Sequence, residues 1–116
     1  MVIIIPRAKS LQIYINDLSR SCSSFVISPF RGKIVKIETV IDDSIAGGDA
    51  VLTSKINGTN ITNGSITIAS TGSTVGVVDS TTPTGNNVLA ISDCIEITSD
   101  GGTSSVTRCM VTLTIK

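Results

Sequence analysis

Apolar and polar residues alternate with a period of two along most of this chain. Nearly every alternating run is bounded by Gly, Pro, Asn, Asp or Ser. That combination marks half-buried strands joined by tight turns. The clearest run is 33–41, where Val35, Ile37, Thr39 and Ile41 are expected on one face, with Lys36 and Glu38 on the other beside Ile34 and Val40. Residues 50–56 repeat the pattern with Ala50, Leu52 and Ile56 inward, and the following NGTNITNG holds two Asn-Gly steps suited to the positive φ angles of tight turns. Further strands are expected at 65–70 and 75–78, a short extended piece at 88–91, and another strand at 94–99 with Ile95 and Ile97 inward. The polar DSTTPTGNN stretch, 79–87, reads as an exposed loop tip with Pro83 at its centre. The last strand, 106–116, sets Cys109, Val111, Leu113 and Ile115 against Thr112 and Thr114, after a turn at Asp100-Gly101-Gly102. The expected fold is all-β, an antiparallel β-sandwich.

The first 21 residues differ. Residues 2–5 and 11–15 are extended and apolar, and the polar run NDLSRSCSS (16–24) separates them from the rest. They form either an N-terminal arm or the first strands of the same sandwich. An arm with an unpaired strand can complete a neighbour's sheet edge through main-chain hydrogen bonds. Ile3, Ile4, Ile5, Leu11, Ile13 and Tyr14 are therefore the candidate residues for contact with a partner surface or a symmetry mate.

Composition narrows the chemistry. At 116 residues the chain makes one domain, and with 3 % aromatics its core must come from Ile, Val and Leu. Nine basic and nine acidic residues cancel, which removes the field that a nucleic-acid or anionic-membrane binder relies on. The apolar opening run ends at Pro6-Arg7, short of the about 20 residues of a membrane span. Synthesis and folding in the cytosol, with reduced thiols, are expected. Histidine is absent, which takes away the commonest general base and metal ligand, so an enzyme is not expected. Cys22, Cys94 and Cys109 fit no metal-binding spacing and read as free thiols; in a simple register Cys94 points away from the core and Cys109 into it. Asp42, Asp43 and Asp49 could clasp Ca²⁺ but read more simply as turn formers, and no cofactor or metal is expected. Three consecutive sequons begin at Asn57, Asn60 and Asn63, where turn chemistry is the simpler account.

The run SSFVISPFRGKIVKIETVIDDSIAGGDAVLTSKINGT, the later VDSTTPTGNNVLAISDCIEITSDGGTSS and the terminal alternating strand resemble the small β-sandwich or jelly-roll decoration (cement) proteins of tailed bacteriophages. Ser28-Pro29-Phe30, Ile41-Asp42 with Asp49-Ala50, and the stretch from Asp93 to Gly102 carry the likeness, which spans residues 22–116. The resemblance implies a virion protein made in the bacterial host cytoplasm. It would bind the major capsid protein on the outer capsid surface, as a dimer or trimer, without nucleic acid or membrane. A tail-fibre or adhesin-like sandwich that binds a host-surface glycan through the 79–87 loop is the alternative.

Overall fold

The computed structural model of the chain describes residues 8–116; Ile3, Ile4 and Ile5 lie outside the described residues. Ten strands and no helix occur among those residues. In chain order they are β1 (Lys9–Ile15), β2 (Ser21–Ile27), β3 (Gly32–Ile41), β4 (Ala50–Ile56), β5 (Thr59–Asn60), β6 (Ile66–Ile68), β7 (Asp79–Thr81), β8 (Val88–Leu89), β9 (Cys94–Asp100) and β10 (Cys109–Ile115). One sheet runs β1-β10-β3-β7, with β8 also on β3. The other runs β2-β9-β4-β5, with β6 also on β4. Every pairing is antiparallel. Because β1 and β3 flank β10 while β2 and β4 flank β9, the chain is wound as a rolled-up hairpin, the connectivity of a jelly roll.

The alternating residues explain why the sheets face each other. Cys109, Val111, Leu113 and Ile115 of β10, Ile95 and Ile97 of β9, and Ala50, Leu52 and Ile56 of β4 are all buried. The core they form is dominated by isoleucine, and Phe30 is only partly buried against it. Branched side chains of this kind suit a pleated surface that is dry on one face. Leu18 is also fully buried although it sits in the polar 16–24 run; its N–H donates to the Thr107 carbonyl at 2.9 Å. The Asn57-Gly58 step has φ angles of 49° and 83° and joins β4 to β5 as a tight two-residue turn.

Several expectations are corrected. On β3 the buried residues are Ile34, Ile37, Thr39 and Ile41, not Val35, because the pairing with β10 slips between Thr114 (opposite Lys36) and Ile115 (opposite Ile34). Val35 is the extra residue of a β-bulge, which resets the parity of the strand's first turn. Residues 75–78 form turns rather than a strand; Gly76 has a φ of 79° and Val77 N–H donates back to the Thr74 carbonyl. The 79–87 segment is not a free tip. Its first three residues are β7, paired with β3, and the remainder is stitched down: Thr84 N–H donates to the Thr62 carbonyl, Asn63 Nδ2 to the Thr82 carbonyl at 2.7 Å, and the buried Asn87 Nδ2 to the Ile34 carbonyl at 2.6 Å. Pro83 is buried. The Ser-rich stretch 21–27 forms β2, a strand not expected from the pattern, since none of its residues is fully buried. Residues 9–15 take the place of a first strand, paired along their whole length with β10.

Candidate docking surface

Side chains that face outward from the β1-β10-β3-β7 sheet fall into transverse rows fixed by the register. One row is Ser10, Thr114 and Lys36; the next is Gln12, Thr112, Glu38 and Ser80. Both are polar, as expected of a solvated face. The third row is Tyr14, Met110 and Val40, apolar across all three strands. Beside it the 70–78 loop lies against the end of β3, with Gly76 N–H donating to the Ile41 carbonyl, and presents Val75, Val77 and Val78 at 55, 41 and 56 % exposure. Row and loop enclose an open hollow of ≈ 530 Å³ lined by Tyr14, Val40, Val75 and Met110, with Asn16 and the Asp42–Arg108 pair at its rim. A narrower hollow shares Val40 and Met110 and reaches Glu38 and Val78. Together they make a trough whose floor is apolar and whose two ends carry carboxylates. Arg108 Nε and Nη2 both bond Asp42 Oδ2, at 3.1 and 3.0 Å. The pair is exposed, so it orders the rim more than it stabilises the fold.

A second apolar surface lies on β2, which among the described residues pairs with β9 alone. Phe25 is 62 % and Ile27 66 % exposed on its outward face, opposite Glu96 and Cys94. Ile91 is equally exposed in the adjoining turn, where Ser92 N–H donates to the Ser28 carbonyl. The Ser28-Pro29-Phe30 turn beyond β2 is locked by the buried Ser28 hydroxyl, which donates to the Phe30 carbonyl at 2.8 Å.

Of the residues expected to make contacts, Leu11 is half-buried, Ile13 is buried at 5 % exposure, and Tyr14 stands half-exposed in the trough. Ile13 is thus spent on the core. Met110, Val75, Val77, Val78, Phe25 and Ile27 were not anticipated as surface residues, whereas Val40 was expected on the face of Lys36 and Glu38. Tyr14, Met110 and Val40 share a local signal: each is apolar at a position whose strand neighbours of the same parity are polar. Only the register shows that the three exceptions coincide.

Among the described residues acidic side chains serve the turns and the rim of the trough. Among the described residues no three Cys, Asp or Glu side chains converge as a metal site. Asp42 is paired with Arg108, Asp43 Oδ1 accepts the Ser44 N–H and Asp49 Oδ1 accepts the Ser70 N–H, as turn formers do. Asp93 is held below the usual carboxylate range by the Ala90 N–H and the Asn57 side chain, which ties the β4–β5 turn to the start of β9. Asp17 is lowered by the hydroxyl and N–H of Ser19. The three cysteines are free; Cys109 sits inside the core and Cys94 half-exposed on the opposite sheet. Burial, helped by the negative charge of Asp79, pushes the Cys109 thiol up to about 12, so it is a packing group and not a nucleophile at neutral pH.

No family model matches the chain, and no curated protein sequence does. Among solved structures it is similar to a chain in the acidic stable capsid structure of Helicobacter pylori bacteriophage KHP30. The two share 8 % identity and a TM-score of 0.61 over 96 % of this chain and 88 % of that one. That likeness is one of fold. A CocE/NonD family hydrolase from Staphylococcus aureus aligns with 97 % of this chain over 33 % of its own length, at 10 % identity and a TM-score of 0.48.

Proposed function

We propose that this chain is a structural protein of a phage virion that binds the outer surface of the capsid and stabilises contacts between major capsid protein subunits. The observation that carries the reading is the jelly-roll likeness to the phage capsid chain, which spans nearly all of both chains. Two sandwiches of similar size are compared, not one sandwich with a module of a larger protein. The sequence resemblance to phage decoration proteins, carried by Ser28-Pro29-Phe30, Ile41-Asp42 with Asp49-Ala50 and the stretch from Asp93 to Gly102, supports the same reading.

The physics suits the task. A protein that binds only the assembled shell stabilises that state by mass action. When one rigid body touches two shell subunits, the second contact is effectively intramolecular and the combined hold exceeds either interface. This reading assigns shell contact to β2, where Phe25 and Ile27 stand exposed on a strand that pairs on one side among the described residues. Large apolar groups beside an open strand edge offer both packing area and main-chain hydrogen bonds.

Imaging of the particle tests the proposal directly. The expected result is density for this sandwich on the outside of the shell in hundreds of copies, fewer being the mark of a tail or fibre component. Particles free of the polypeptide sink the virion role. Shells lacking the protein are expected to melt at lower temperature, and to recover when it is added back.

A further inference from the structure

We propose that the trough on the outer face of the β1-β10-β3-β7 sheet seats the apolar 2–5 run (VIII) of a second copy of this chain. The trough is a broad concave surface, and its floor is the Tyr14–Met110–Val40 row. Exposed apolar surface concentrated in one place, against otherwise polar rows, is the usual mark of an interface. Its chemistry suits aliphatic side chains: Met110 adapts its shape to what it meets, and Tyr14 offers a broad, stiff face.

Chain length decides whose run it holds. From Lys9 to Tyr14 the strand advances five residues, about 17 Å, and Val40 lies two strands, about 10 Å, to the side. Only four residue steps separate Ile5 from Lys9, which span at most about 14 Å when fully extended. Ile5 therefore falls short of its own trough. Ile3 reaches it only with a straight backbone, after the chain has doubled back on β1. The three isoleucines cannot lie together in the trough of the chain that carries them, whereas a neighbouring copy brings them without that restraint.

The ends of the trough are charged but internally paired. Arg7 follows the apolar run by two residues, and the trough carries Asp42 at one end and Glu38 at the other. Asp42 is already paired with Arg108 at 3.0 Å and Glu38 with Lys36 at 3.6 Å, so Arg7 of an incoming run would share either carboxylate, and the assignment rests on chain length and the apolar floor. Arm and trough are different surfaces of one chain, so the contact closes as a dimer when reciprocated or as a ring when passed on. The inference concerns the protein in solution and does not depend on the capsid role.

Disulfide trapping in the full chain is the test, with Cys22→Ser and Cys94→Ser removing the two accessible thiols. One preparation carries Ile4→Cys, another Val75→Cys, and a third Val88→Cys, which is 69 % exposed beside Lys33 at the far end of β3. Under mild oxidation the mixture of the first two is expected to give an intermolecular disulfide at least about tenfold more readily than the first and third, because the seated run raises the local thiol concentration. Equal yields overturn the proposal. A chain carrying both Ile4→Cys and Val75→Cys is expected to link between copies; a disulfide closed within one chain overturns it. Sedimentation of the unsubstituted protein is expected to show more than one chain per particle, reduced to one by Met110→Glu. Val75→Asp, in an exposed loop, repeats the test should Met110→Glu lower the melting temperature. A unsubstituted protein that sediments as a single chain also overturns the inference.

Discussion

Strands β10 and β2 have the same length and each contributes seven residues to a sheet, yet they do opposite work. In β10 every second residue is fully buried, from Cys109 through Val111 and Leu113 to Ile115. In β2 the sequence SCSSFVI alternates between half-buried and exposed without one buried residue. The difference follows from position. β10 lies between β1 and β3 and completes the core, while β2 has a single partner among the described residues and packs only Cys22 and Val26 partly against the core. The lesson is that in a small sandwich the stabilising residues gather on the central strands, so edge strands are free to carry apolar residues for other purposes.

Four measurements sharpen or break this contrast. Leu113→Ala on β10 is expected to cost about 2–5 kcal/mol in urea unfolding, and Val26→Ala on β2 less than about 1.5 kcal/mol. Equal costs would abolish the distinction. The second measurement is pH dependence. Cys109 keeps its proton to about 12 in the folded chain, against an ordinary value of 9.0, so the unfolded chain ionises first as the pH rises. Its contribution to stability is therefore complete below pH 9 and lost between pH 9 and 12. Melting temperatures across that window should fall more steeply for the native chain than for Cys109→Ala. Third, the Thr39 hydroxyl on β3 is buried without a hydrogen-bond partner among the described residues. Thr39→Val keeps the shape and is expected to stabilise the fold by about 1 kcal/mol in the same unfolding assay. The smallest effect belongs to Phe25→Ser, expected to change stability by less than about 0.5 kcal/mol while weakening co-sedimentation with shells that lack the protein. A large loss of stability there would return β2 to the core.

The same contrast explains how much could be read in advance. Alternation in 50–56, 94–99 and 109–115 gave the inward residues correctly, because a central strand with one dry face leaves no other solution. It misplaced the start of β3, since a bulge adds a residue without any mark in the periodicity. It passed over β2 for a physical reason: the half-buried positions of this strand hold Cys22, Ser24 and Val26 against exposed Phe25 and Ile27, so the apolar residues do not follow the buried face. It also read 79–87 as a loop tip, because the hydrogen bonds of Asn63, Thr84 and Asn87 that hold it down join segments distant in sequence. The trough was the least legible feature. Tyr14 was singled out, but its coincidence with Met110 and Val40 is a property of register, which no single strand contains.

The pairing of β1 with β10 sets Lys9 against Ile115 and Ile15 against Cys109. The β1 and β3 strands therefore gain their shared partner only once residues 109–115 have been synthesised, about a hundred residues after β1. For a topology so rich in distant pairings, folding is expected on the order of milliseconds to seconds.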